Sequence, residues 1–212
     1  MTHSDIARFW TWFASVCGEF GPKFENSRLV AELDQRLSAL GEFSWELGPA
    51  PGSSDDSALV LTPAGRADLL VETRKIVDVA PTCDGWRFFS SIPPKSWNLR
   101  FTLDGNDGSQ VEIDASEWRH VLHMYPDEVF DVTILASNIL GLSADLQDAA
   151  AEIVLDGELG EELRMRRIQD IEIVGELDRE LLQKSTSIKL IRPQIESLTK
   201  ATKGKSGSLN KL

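Results

Sequence analysis

Three consecutive pieces decide the fold: Phe43-Ser44-Trp45-Glu46-Leu47, then Ala58-Leu59-Val60-Leu61-Thr62-Pro63-Ala64-Gly65, then Ala80-Pro81 followed by Trp86-Arg87-Phe88-Phe89-Ser90-Ser91-Ile92. Phe43, Trp45 and Leu47 alternate, the period of a strand with one covered face. Ala58–Leu61 is apolar without alternation, which predicts a central strand covered on both faces, or one beside a covering helix. Thr62 before Pro63 reads as a cap followed by proline at the first helical position. Leu69, Leu70, Thr73, Ile76, Val77 and Ala80 then share a helical face until Pro81 forbids continuation. Trp86–Ile92 returns as a strand. The run reads strand, strand, helix, strand and carries no catalytic signature.

Upstream, Ser4 is a cap for a helix whose stripe is Ile6, Phe9, Trp10, Phe13, Val16, Cys17 and Phe20, ended by Gly21-Pro22. Its polar face has too few basic residues for a lipid surface, so the stripe is expected to dock on a sheet. A second helix spans Ser27–Leu40, capped by Asn26 or Ser27 and stopped at Gly41. Downstream, Leu99, Phe101 and Leu103 alternate, as do Val111 and Ile113. Asp104-Gly105-Asn106-Asp107-Gly108 between them makes a hairpin turn. A second hairpin joins Trp118–Tyr125 to Phe130–Ala136 around Pro126-Asp127-Glu128. Ser143 caps a helix carrying Leu146, Ala149, Ala150, Ile153 and Val154, with Gly157 as its stop, and Ile168–Val174 is a last strand. Runs of one element type followed by another predict an α+β fold. The expected sheet is mainly antiparallel, of about six to eight strands, with three or four amphipathic helices packed on it.

The chain has 212 residues, 42% of them hydrophobic, enough for one core-forming domain, expected over residues 1–182. No apolar run approaches the ~18 residues of a membrane span, and Met1-Thr2-His3-Ser4-Asp5 is unlike a secretory signal. Cys17 and Cys83 make no paired-cysteine motif, which suggests a reducing cytoplasm. The net charge is −12, unevenly spread. Seven basic residues and one acid lie between Gln183 and Leu212, so that segment carries +6 and residues 1–182 carry −18. The first is read as a flexible basic tail, the second as a body that repels nucleic acid and attracts a cationic protein. Nucleic acid could be reached only through the tail.

Few residues are arranged for chemistry. Asp114, Glu117, His120 and His123 are zinc- or manganese-binding types within ten residues, the basis of an alternative reading as a small metal-dependent hydrolase. The two histidines share a face only on a helix, however, and Val121, Leu122, Met124 and Tyr125 read as strand. Asp104, Asn106 and Asp107 lack the glycine and glutamate that a calcium loop requires. Gly157-Glu158-Leu159-Gly160 lacks the lysine of a phosphate loop. No Gly-x-Ser-x-Gly elbow exists, and three histidines leave little for a nucleophilic triad. No cofactor is implied. Two features suit binding instead. Trp97 follows the stiff Pro93-Pro94, and Asp127, Glu128, Asp131, Glu161 and Glu162 could steer a basic partner.

Phe9-Trp10-x-Trp12-Phe13, Trp45-Glu46-Leu47-Gly48, Leu61-Thr62-Pro63-x-Gly65, Ala80-Pro81 with Gly85-Trp86-x-Phe88, and Leu159-Gly160-Glu161 together resemble a family of uncharacterised bacterial proteins. The resemblance covers about residues 5–175 and brings no activity or catalytic residue with it. Its prokaryotic setting implies that interaction or immunity roles are open. The expectation is a non-enzymatic cytosolic protein-binding domain, immunity- or antitoxin-like, with a cationic protein as partner.

Overall fold

The apolar run Ala58–Leu61 becomes the middle of a three-stranded sheet. The computed structural model describes residues 1–206 apart from Pro22, Ser54, Asn106 and Asp107, with side chains as far as Ala201. It divides the chain into two compact units, Met1–Pro93 and Pro94–Leu212. The fold is α+β, with seven helices and nine strands among the described residues. The single large sheet expected from the sequence is instead three smaller ones: a three-stranded sheet lies in the first unit, and the second unit holds a two-stranded hairpin separate from a four-stranded sheet. The boundary expected at 182 lies inside the second unit.

In the first unit, β1 (Ser44–Pro49) pairs antiparallel with β2 (Ser57–Thr62). After helix α3 (Ala67–Val77), β3 (Trp86–Phe89) pairs parallel with β2. Leu59 and Leu61 are buried with residues of α1 (His3–Val16), α2 (Ser27–Ser38) and α3. Ala58 and Val60, of opposite strand parity, cluster with Ala50, Phe89 and Ile92. The missing alternation in β2 is thus a strand with two covered faces. The stripe of α1 docks as expected: Trp10 meets Phe88 at 4.6 Å between ring centroids, and Phe13 meets Trp86 edge-on at 4.9 Å. Each such pair adds about 0.5–1.5 kcal/mol beyond area burial. The Trp10 indole donates to the Ile76 carbonyl at 2.7 Å, which satisfies its one polar atom.

Two helix starts differ from expectation. Thr2, not Ser4, caps α1, in a reciprocal capping box with Asp5. Thr62 ends β2, and its hydroxyl accepts from the Ala64 amide at 3.1 Å. Ala64 and Gly65 both take positive φ, 50° and 78°, so the chain turns there and α3 begins only at Ala67.

In the second unit, β4 (Arg100–Asp104) and β5 (Gln110–Asp114) form the first predicted hairpin. Part of its turn, Asn106 and Asp107, lies outside the described residues. The second hairpin, β6 (Arg119–Met124) with β7 (Phe130–Leu135), is also present. Helices α4 (Ala144–Leu159) and α5 (Glu161–Arg167) cross over to β8 (Ile168–Val174), which pairs parallel with β7. Gly160, at φ 80°, separates the two helices, so Gly157 does not stop α4.

The expected tail is largely built in. After α6 (Arg179–Lys184), β9 (Thr186–Ser187) pairs with β6, giving the sheet order β8-β7-β6-β9. Ile188, and then Ile191 and Ile195 of α7 (Ile191–Ser206), join a core with Phe130, Val132, Ile134 and the buried face of α4. Lys184 and Arg192 form ion pairs with Glu180 and Glu196. Three buried isoleucines, with Leu198 packed against the same core, anchor this segment, which is why its pattern looked too thin to fold. No helix of the described residues is long and apolar enough to cross a membrane.

Candidate functional site

The site is built on the four-stranded sheet of the second unit. Along β7, Phe130, Val132 and Ile134 are at most 1% exposed and face the core. Strand alternation therefore turns Asp131, Thr133 and Leu135 to the other face. Cross-strand register extends each into a row. His123 of β6 stands beside Asp131, and Asp131 beside Asp170 of β8. Val121, Thr133 and Glu172 make the next row. Asp170, Glu172 and His123 are exposed, and Asp131 is half-buried. A register shift between Phe130 and Asp131 skips Gln169, which keeps Ile168, Ile171 and Ile173 packed against the core while Asp170 and Glu172 stay outside.

The Tyr125 hydroxyl donates to Asp131 Oδ2 at 2.5 Å, and the His123 ring packs edge-on against Tyr125 at 4.9 Å. The bond to Asp131 pushes the Tyr125 phenol above its ordinary range, with the nearby charge of Asp170 adding to it. Asp131 Oδ1 is buried and has no hydrogen-bond partner among the described residues. The Thr133 hydroxyl donates to Glu172 at 3.1 Å. Arg119, the base on this face, is turned aside: its guanidinium donates to the Ser185 hydroxyl and carbonyl at 2.8 and 2.5 Å. Three acids thus stand on one sheet face while its arginine is engaged elsewhere. Among the described residues β8 pairs with β7 alone, so one side of this strand is a sheet edge.

The candidates from sequence are sorted by the fold. Asp127 is exposed in the β6–β7 turn, close in sequence to Asp131. Glu128, at φ 64°, is drawn to Arg167, whose guanidinium lies 3.2 Å from its carboxylate and 2.9 Å from its carbonyl. Glu161 is 1% exposed, so its side chain is not presented at the surface. Glu162 lies 3.4 Å from Arg166. Trp97 folds back onto α4. Its indole donates to Glu158 at 3.0 Å, and its ring occupies the space where a Cβ on Gly157 would stand, 2.5 Å from Cζ2. It is an internal contact rather than a presented anchor.

The metal-hydrolase set does not assemble. His120 is fully buried on the core face, with Nε2 donating to Gln194 at 2.8 Å, whereas His123 is on the outer face. Asp114 is paired with Arg100 at 2.9 Å and accepts from the Ser116 amide, and Glu117 is exposed. Among the described residues, no group of three or more His, Cys, Asp or Glu side chains is placed to hold a metal.

Asp170 and Glu172 were missed by sequence reasoning. Their signal was the polar parity of Ile168–Val174, but nothing in the sequence says that this strand lies parallel to β7 with Asp170 beside Asp131. No known protein family, curated protein or solved structure matches the chain.

Proposed function

We propose that the chain is a non-enzymatic protein-binding module that receives a cationic protein on the outer face of β6, β7 and β8. The observation that carries this reading is the side-by-side placement of Asp131 and Asp170, with Glu172 in the next row. Carboxylates aligned on a sheet and close to its open edge attract a basic segment and guide its approach. An extended segment alternating basic and apolar residues could add to β8, its backbone bonding the edge and its cations meeting Asp170 and Glu172. An immunity-like role, holding a cationic protein inactive, is one that such a face suits. We assign it to a bacterial cytoplasm, where two unbridged cysteines are the ordinary state.

The test uses the full chain and a labelled short peptide alternating lysine and valine. Asp170→Asn with Glu172→Gln removes two exposed charges without disturbing the core. Binding at low salt is expected to weaken about tenfold, and its salt dependence to flatten. Equal affinity in the variant and the parent would sink the proposal.

A further inference from the structure

Cys17 and Cys83 are 66 positions apart in the sequence, yet they meet in the first unit. Cys17 opens the short 3₁₀ turn after α1, and Cys83 sits in the turn before β3. Both belong to the aromatic cluster around Phe13, Phe20 and Trp86. Trp86 holds the two backbones together: its amide donates to the Cys83 carbonyl at 3.1 Å, and its indole Nε1 donates to the Cys17 carbonyl at 3.1 Å. Both thiols are free, and Cys17, whose sulfur donates to the Ala14 carbonyl at 3.7 Å, is a neighbour that raises the Cys83 thiol. Their surroundings differ, because Cys17 is half-buried while Cys83 is 8% exposed.

We propose that Cys17 and Cys83 are a reversible redox pair, closing to an intramolecular disulfide when a two-electron thiol oxidant, hydrogen peroxide or glutathione disulfide, reaches Cys17. Exposure and acidity assign the order of events. Burial, reinforced by the neighbouring Cys17, pushes the Cys83 thiol up to about 11, so it stays protonated at neutral pH. Cys17 is therefore the sulfur that meets the oxidant. Its thiolate attacks one peroxide oxygen, the O–O bond breaks, and hydroxide leaves a sulfenic acid on Cys17. The Cys83 sulfur then attacks that sulfur. The S–S bond forms, the S–O bond breaks, and the Cys83 proton leaves with the oxygen as water. Two thiols and one peroxide give one disulfide and two waters. With glutathione disulfide, the two exchange steps release two glutathione thiols in turn. The bond would staple the end of α1 to the start of β3, across most of the first unit's chain.

The experiment treats the reduced full-length protein with hydrogen peroxide or glutathione disulfide and follows intact mass and a non-reducing peptide map. The expected product is a monomer lighter by two hydrogens, with the Cys17 peptide joined to the Cys83 peptide and both released by dithiothreitol. Closing so long a loop is expected to raise the melting temperature by on the order of 10 °C, reversibly. In Cys83→Ser, glutathione disulfide is expected to leave a lasting glutathione adduct on Cys17, and peroxide a sulfenic acid there. A lasting adduct on Cys17 in the parent protein, cross-linked dimers, or two thiols that stay free under both oxidants would each overturn the proposal.

Discussion

Gly157→Ala is a change that ordinary helix propensity predicts to be favourable. Within a helix, alanine is better than glycine by roughly 0.5–1 kcal/mol. Here the added Cβ would stand 2.5 Å from Trp97 Cζ2 and 2.8 Å from Cε2, far inside ordinary carbon contact. The ring or the helix must move. Overpacking of this kind costs about 1–3 kcal/mol. A ring displaced from α4 also loses its hydrogen bond to Glu158, now 3.0 Å long, worth about 1 kcal/mol at a half-buried site. Weighed against the propensity gain, the net effect is a loss of about 1–2 kcal/mol. Urea unfolding followed by circular dichroism should show a midpoint about 0.5–1 M lower. In a Trp97→Ala background the obstruction is gone, and the same Gly157→Ala change should raise the midpoint. This reversal of sign measures the contact independently of propensity. An unchanged or higher midpoint for Gly157→Ala alone would refute the account and return Trp97 to the set of presentable anchors.

Arg164 and Asp156 form an ion pair at 2.5 Å with side chains 13% and 15% exposed. Arg164→Met should destabilise by about 3–5 kcal/mol in urea unfolding, and adding Asp156→Asn should recover most of it, because the larger part of the loss is an abandoned buried charge. Burial lowers the pKa of His120 below its ordinary 6.5, since charging it would strand an imidazolium in the core. Its folded pKa is thus the lower one. The stability it supports is fully present above pH 6.5 and is lost as pH falls through the folded value. Urea midpoints for the parent and His120→Gln should therefore converge on acidification. A constant difference between pH 7.5 and 5.5, about one unit either side of the free value, would contradict this.

Legibility from sequence followed the range of the interaction. Ile168–Val174 was read to the residue, and both hairpins were found, because local alternation and turn formers specify them. Gly157 was misread because a glycine near a helix end resembles a stop, and only the distant Trp97 reveals it as a close approach. Glu161 looked like a solvated acid, yet it starts a short second helix and is buried. The segment after 183 looked polar because its core contribution is three isoleucines, each hidden by a partner from elsewhere in the chain.

By itself, the sequence determined the α+β class, the doubly covered strand Ala58–Leu61, the docking stripe of α1 and the excess of acid over base. These depend on the order of apolar, polar and turn-forming residues over a few positions, which backbone sterics and burial convert directly into elements. Tertiary structure alone decided that the strands divide into two units, that Asp131 stands beside Asp170, that His120 and His123 part to opposite faces, and that Cys17 reaches Cys83. Those outcomes depend on strand order, parallel register and loop closure, which are settled by the packing free energy of the whole chain and leave no periodic trace along it.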